Sequence, residues 1–300
     1  MASHPWFSYF LLTASMTLVG TYIALAKPLV AAIPVFALAL IRFAMAAVAL
    51  APWTRAAPGE RKLSRSEHLQ LFLQSFFGNF LFSICMLSGI ALTTAVAAGV
   101  ILATLPAVVA LASWLVLREH LSRRTWLAIV LAVGGIALLQ FAKAPVDEGR
   151  GASLLGNLLI LGGVICESVY VIAGKRLAAS RAPLRISALI NLWGLVLTLP
   201  FGLWQLARFD LGSLGSAQWG MLAFYALSAS LVSVWLWLTG LKHVPANQAG
   251  VFTVALPISA TAIGVVFLGE SFGVMHAVAL ACAAAGVLLI ATGRPPRAQV

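Results

Sequence analysis

Charge is scarce in this chain, and acidic charge above all: eight Asp and Glu stand against nineteen Lys and Arg in 300 residues. Charged residues make up only 9% of the sequence, far below the quarter or so typical of soluble domains. Little of the chain is built to face water. Cysteine is nearly absent too. Cys85, Cys166 and Cys282 are odd in number, lie inside apolar runs and lack metal-ligand spacing, which leaves no disulfide framework and no metal site. Enzyme signatures are missing as well. There is no Gly-x-Ser-x-Gly elbow, no His-Glu-x-x-His pair and no Walker-type phosphate loop. No histidine shares a span interior with an aspartate, and no lysine sits at mid-span to carry a retinal-type Schiff base. The expectation is a protein that is not an enzyme, does not use ATP, and takes no cofactor and no metal.

What is present is apolar sequence, 62% of the chain. Runs long enough to cross a bilayer, roughly 20 residues each, recur throughout. Ten are placed at residues 6–26, 34–53, 69–90, 94–117, 124–142, 153–174, 184–206, 217–240, 246–268 and 272–292. The first lacks the basic flank and cleavage site of a signal peptide and is expected to remain in the mature protein. The fold class predicted is an all-α polytopic membrane protein of ten transmembrane helices.

The sequence also repeats. Ala98-Gly99-Val100, Leu105-Pro106, Glu119 and Gly135 recur as Ala249-Gly250-Val251, Leu256-Pro257, Glu270 and Gly286, each pair 151 positions apart. Earlier landmarks, Tyr22 with Tyr170, Lys27 with Lys175 and Pro52 with Pro200, pair at 148. An insertion between residues 208 and 217 accounts for the change. The expected division is a first five-helix repeat over residues 1–146 and a second over 147–300. Five is odd, so the second repeat must enter the membrane from the opposite side. Inverted repeats around a midplane site are the architecture of secondary transporters.

Basic residues support that inversion. Lys27, Lys143, Arg150 and Arg208 lie in the odd-to-even connections and Arg42 inside a span, while the remaining 14 lie at the termini or in even-to-odd connections. Positive residues stay on the cytoplasmic side. Both termini are therefore expected in the cytoplasm, and the net charge of +11 reflects topology and not nucleic-acid binding.

Two ionisable residues lie deep in spans, where a charge costs about 2.5–3.5 kcal/mol on insertion scales. Arg42 is halfway along span 2, and Glu167 is well inside span 6, where it is the one acid in any span interior. Glu167 reads as a substrate-ammonium contact or a proton-coupling carboxylate; equally, it reads as a structural partner of Arg42 or a lysine. Arg42 reads as a carboxylate contact or as a structural donor to backbone carbonyls. Pro106 and Pro257, at matching places in spans 4 and 9, predict paired kinks acting as hinges, against the plainer alternative of static kinks. Polar stripes at helical spacing mark inward faces: Thr13 and Thr17 with Gly20, Ala24 and Lys27; Ser75, Asn79 and Ser83; Glu167 and Tyr170; Ser230, Ser233 and Trp237. Interhelical hydrogen bonding alone also explains such stripes.

The repeated segment from Gly99 to Pro106 with Glu119 and Gly135, and its partner from Gly250 to Pro257 with Glu270 and Gly286, resembles the drug/metabolite transporter superfamily, and within it the EamA-type branch. The match covers nearly the whole chain, most specifically spans 4–5 and 9–10. Arg42 sits where such proteins often carry an arginine; its counterpart here is Ile190. The resemblance implies a bacterial inner-membrane exporter of small metabolites, similar to the aromatic and broad-range amino-acid exporters, working by alternating access through a central cavity. On that reading Asn79, Glu167, Ser233 and Thr17 hold the substrate's polar head, and Tyr170 and Trp237 contact its side chain. The partners expected are a small-molecule substrate, namely amino acids including aromatic and apolar ones, and the lipid bilayer. No nucleic acid is expected, and ten spans suffice to enclose a cavity in one monomer. Exporters of drugs or nucleotide sugars, and a membrane scaffold that transports nothing, are the alternatives at this point.

Overall fold

In the computed structural model, which describes residues 5–56, 59–117, 122–141, 153–178, 181–241 and 250–291, the apolar runs form helices that pack into one bundle. Span 1 is α1 (Pro5–Ala32) and span 2 is α2 (Val35–Ala49). Span 3 is α3 (Arg65–Gln74) and α4 (Phe82–Leu92), joined by a π-helical segment over Ser75–Leu81. Span 4 is α5 (Ala95–Leu102) and α6 (Leu105–Leu117), and span 5 is α7 (Arg123–Phe141). The second half repeats this order: α8 (Leu154–Ala178), α9 (Pro183–Leu206), and α10 (Ser216–Leu227) with α11 (Ser233–Leu241) around a π segment at Ser228–Val232. It ends with α12 (Ala255–Leu268), preceded by a 3-10 turn over Gly250–Val254, and α13 (Val274–Ala291). Five stretches are individually long and apolar enough to cross a membrane: Trp6–Ala32, Arg65–Leu92, Ala95–Ala112, Pro183–Leu206 and Ser216–Gly240. The expected boundary between residues 146 and 147, and the repeat landmarks Glu119 and Ala249, lie outside the described residues.

The helix starts keep the sequence offsets. Val35 and Pro183 open spans 2 and 7 at the offset of 148, and Arg65 and Ser216 open spans 3 and 8 at 151. The two repeats also contact each other reciprocally. A Cβ at Gly89 would meet Ile160 Cδ1 at 2.7 Å and the Gly156 carbonyl at 3.1 Å; one at Gly240 would meet Leu12 Cγ at 2.8 Å and the Ser8 carbonyl at 3.1 Å. Leu12 and Ser8 are the repeat partners of Ile160 and Gly156, so span 3 meets span 6 as span 8 meets span 1. Gly135 faces the Ala279 carbonyl and Gly286 the Ala128 carbonyl, which relates spans 5 and 10 in the same way. Small residues let the backbones approach this closely. Such exchange symmetry between halves of five spans requires the inverted arrangement.

Interruptions within the spans are duplicated as well. The π segments of spans 3 and 8 end at Leu81 and Val232, again 151 apart. A π turn inserts one residue and frees carbonyls that a regular helix would occupy. The prolines act differently from the expected mid-helix kink. Span 4 breaks at Ala103–Thr104, and Pro106 is the second residue of α6; Pro257 is the third residue of α12, after the 3-10 turn. Each proline begins a helix, where a missing N–H costs nothing in bonding.

Hydrogen bonds tie the halves together at both ends of the bundle. At the end where α1 finishes, Gln205 Oε1 accepts from the Phe36 and Ala37 amides at 2.8 and 3.0 Å, and the Ser153 amide donates to the Leu92 carbonyl. There too Glu270 meets Lys27 and the start of α5. At the other end Arg181 bonds Glu60 at 2.8 Å and Glu67 at 3.0 Å, joining the α8–α9 connection to the α2–α3 connection and to the first turn of α3.

Candidate functional site

Between these two sets of ties, polar side chains from five spans collect where the halves meet. Arg42 is the eighth residue of the fifteen in α2. Its Nη2 donates to Ser83 Oγ of α4 at 3.0 Å. Its guanidinium carbon lies 4.2 Å from the Phe43 ring centre and 5.4 Å from that of Tyr225 on α10. Tyr225 in turn meets Tyr22 of α1 edge to face, with ring centres 5.6 Å apart. Glu167 of α8 is partly buried and lies within electrostatic range of Tyr22 and of Tyr170, one turn further along α8. The Tyr170 ring covers Gly78, where a Cβ would approach its Cγ to 2.6 Å, so the π segment of span 3 fits this aromatic because it carries no side chain there.

Asn79, the next residue of that segment, donates its amide nitrogen to the Ile190 carbonyl of α9 at 2.9 Å, and Ser75 Oγ donates to the same carbonyl at 2.7 Å. The Asn79 nitrogen therefore ties span 3 to span 7. Tyr170 packs in the same cluster as Ile190, which brings Asn79, Tyr170 and Glu167 to one side of the interface. Among the described residues Glu167 forms no ion pair with Arg42 or any other cation. Of the alternatives for these two charges, the mutual pair is not formed.

The other expected site residues lie elsewhere. Trp237 packs with Leu12, Tyr9 and Phe252 at the end where the chain begins, twelve residues past Tyr225, roughly 18 Å along the span at 1.5 Å per residue. Ser233 is buried, and its carbonyl accepts from Ser15 Oγ at 2.8 Å. Thr17 is exposed in a shallow groove of about 390 Å³ walled by Phe10, Thr13, Ala14, Thr17, Leu18 and Thr21, all from α1. Pro106 and Pro257 lie in the paired broken spans, and Pro257 sits against Gly99. The structure thus brings Arg42, Asn79, Glu167 and Tyr170 together and leaves Thr17, Ser233 and Trp237 outside that cluster. It adds Tyr22, Ser83 and Tyr225. Ser83 was visible in its polar stripe and Tyr22 as a repeat landmark, whereas Tyr225 had no marking spacing.

A second polar group lies between α9 and the π segment of span 8. Ser187 Oγ donates to the Ser230 carbonyl at 2.9 Å, Ser230 Oγ to Asn191 Oδ1 at 2.9 Å, and Asn191 Nδ2 to the Ser187 carbonyl at 2.8 Å. The Ser230 carbonyl belongs to the π segment of span 8. This group is satisfied within itself, as buried polar groups in a static contact should be.

Comparison with known proteins gives the context for this cluster. Residues 6–141 and again 154–292 match the EamA-like transporter family. The uncharacterized transporter YetK of Bacillus subtilis is 34% identical over 283 residues, covering 94% of this chain and 86% of that protein. A second uncharacterized transporter of the same organism, YwfM, is 28% identical over 213 residues, 71% of this chain and 67% of its own length. A solved structure described only as the crystal structure of a protein superimposes with a TM-score of 0.63 at 17% identity, covering 94% of this chain and 96% of that one. At that identity the likeness is one of fold.

Proposed function

The chain belongs to the EamA-like transporter family, a multi-pass membrane transporter and not an enzyme, and on that premise we propose that it exports amino acids, aromatic and apolar ones included, from the bacterial cytoplasm. Membership sets aside the scaffold alternative. The observation that carries the amino-acid reading is Glu167: a carboxylate at membrane depth, inside the inter-repeat cluster, that no cation among the described residues neutralises. An intramembrane acid facing a bundle interior is a functional group by default. Here it serves as the acceptor for a substrate ammonium, with the remaining Asn79 oxygen as a second acceptor. Tyr170, stacked over Gly78, contacts the substrate's apolar body. Ser233, Trp237 and Thr17 take the substrate later on its path towards or away from this cluster.

The working division is residues 1–146 and 147–300, with both termini cytoplasmic on the strength of the basic-residue count. Transport proceeds by alternating access: the ties at one end of the bundle release as those at the other hold, and the broken spans at Pro106 and Pro257 absorb the change of backbone angle. Cells loaded with aromatic dipeptides and expressing this protein should release the liberated amino acids faster than cells without it. Equal release from both would overturn the reading.

A further inference from the structure

Two buried polar groups, one in each repeat, differ in how completely they are bonded. The Ser187–Asn191–Ser230 group of the second repeat closes on itself. Arg42 of the first does not. It is 7% exposed, yet its Nε is buried without a hydrogen-bond partner. No carboxylate among the described residues lies within ion-pair distance of it. The Phe43 and Tyr225 rings beside it attract the cation, but a ring face neither cancels the charge nor accepts from the N–H. Packing does not explain the residue either, since its repeat counterpart is Ile190, an apolar side chain that suits a membrane core without cost. A buried guanidinium with unfilled donors is expensive unless an anion completes it.

We propose that Arg42, held by Ser83 and flanked by Phe43 and Tyr225, is an anion subsite that takes the carboxylate of the transported molecule. This deepens the reading of the cluster as a substrate site and rests on it. The planar guanidinium suits a carboxylate in two-point contact. The Ser83 hydroxyl fixes Nη2, so the donors left over keep one orientation. Because Ile190 replaces the arginine in the second repeat, the subsite exists once. The substrate is therefore oriented, its carboxylate towards span 2 of the first repeat and its ammonium towards Glu167 of the second. Amines lacking an acid group are poor substrates on this account, and so are neutral drugs.

The test uses purified full-length protein in lipid nanodiscs and three probes: phenylalanine, its carboxamide, and 3-phenylpropanoate, which keeps the acid and lacks the amine. Binding is read by competition and by the shift in unfolding temperature. Phenylalanine should bind at least about tenfold more tightly than the amide, the scale of a charged hydrogen bond, and Arg42→Gln should erase that preference while Arg42→Lys keeps part of it. Ser83→Ala, which leaves the charge in place, should weaken the acids several-fold and leave the amide unchanged, a pattern that loss of packing would not produce. Equal binding of acid and amide overturns the anion subsite, as does binding of the amide alone, which spares the transport reading. Binding of 3-phenylpropanoate as tight as phenylalanine supports the subsite but contradicts Glu167 as the ammonium contact. No response to any probe, in protein that unfolds cooperatively, overturns both.

Discussion

Lys27 Nζ lies 2.6 Å from Glu270 Oε1, an ion pair between the first repeat and the second. The same carboxylate accepts from the Ala95 and Val96 amides at 2.8 and 3.0 Å, while Thr94 Oγ1 accepts from Ala97 at 3.0 Å, so three open donors at the start of α5 are satisfied. Local backbone aims Glu270 there. Gly269, with φ of 65°, ends α12 in the left-handed region, and the Glu270 amide turns back to the Gly264 carbonyl. One side chain therefore holds α1, α5 and α12 together at this end of the bundle.

Removing it should loosen that end. Glu270→Ala leaves Lys27, which is partly exposed to solvent, and two amides unanswered and should cost roughly 2 kcal/mol, the scale of lost charged hydrogen bonds to a buried acceptor. Glu270→Gln keeps an acceptor and should cost about half as much. Thermal unfolding in detergent checks both. Equal stability of the three proteins would mean that the clasp does not hold the halves.

The reciprocal glycines make a second prediction. Gly89→Val and Gly240→Val each push a branched side chain into the opposite half, against Ile160 and Leu12 respectively, and overpacking of this kind costs roughly 1–3 kcal/mol. Because the contacts are repeat equivalents, the two losses should match within experimental error. A large effect at one position and none at the other would contradict the inverted symmetry.

Cys85 Sγ of α4 faces Gly162 of α8, one turn before Cys166 on the same helix, so the two thiols lie where spans 3 and 6 meet. In a Cys282→Ala background, copper-phenanthroline should link Cys85 to Cys166, detectable by mass spectrometry as a single crosslinked peptide. The link should reduce transport reversibly, because it ties span 3 to span 6 beside Glu167. Free thiols throughout, under conditions that oxidise an exposed control cysteine, would contradict that packing.

Coupling is read at Glu167. If this carboxylate carries the proton or the substrate ammonium, Glu167→Gln should flatten the pH dependence of transport and lower its rate while leaving the fold intact by thermal unfolding. PH behaviour identical to the parent protein would remove Glu167 from the coupling role.

The ten spans and their duplication were legible because hydropathy and residue spacing are linear properties of the chain. Arg42 and Glu167 were legible for a related reason: a charge in an apolar run stands out. Other features had no such signal. The π segments at Ser75–Leu81 and Ser228–Val232 carry no composition that separates them from ordinary helix, yet they rotate the polar stripe of span 3, so that Asn79 meets Ile190 while Ser83 meets Arg42. Tyr225 is one aromatic among many until its ring is seen beside Arg42 and Tyr22. Trp237 shared a helix face with Ser230 and Ser233, but a shared face does not fix which neighbouring helix a residue meets, and its neighbours are Leu12, Tyr9 and Phe252. Pro106 and Pro257 were visible as interruptions; that they begin helices, where proline is tolerated, depends on the break at Ala103–Thr104 and on the 3-10 turn before α12.

The most direct test of amino-acid transport by this fold is counterflow in proteoliposomes: vesicles preloaded with unlabelled phenylalanine, diluted into a trace of the labelled form, with and without a pH gradient. Uphill accumulation of label that requires the protein and the preload, and that Glu167→Gln diminishes, is the predicted result. Label that never exceeds the level of empty liposomes, across aromatic and apolar amino acids and with folded protein in the membrane, would contradict the account.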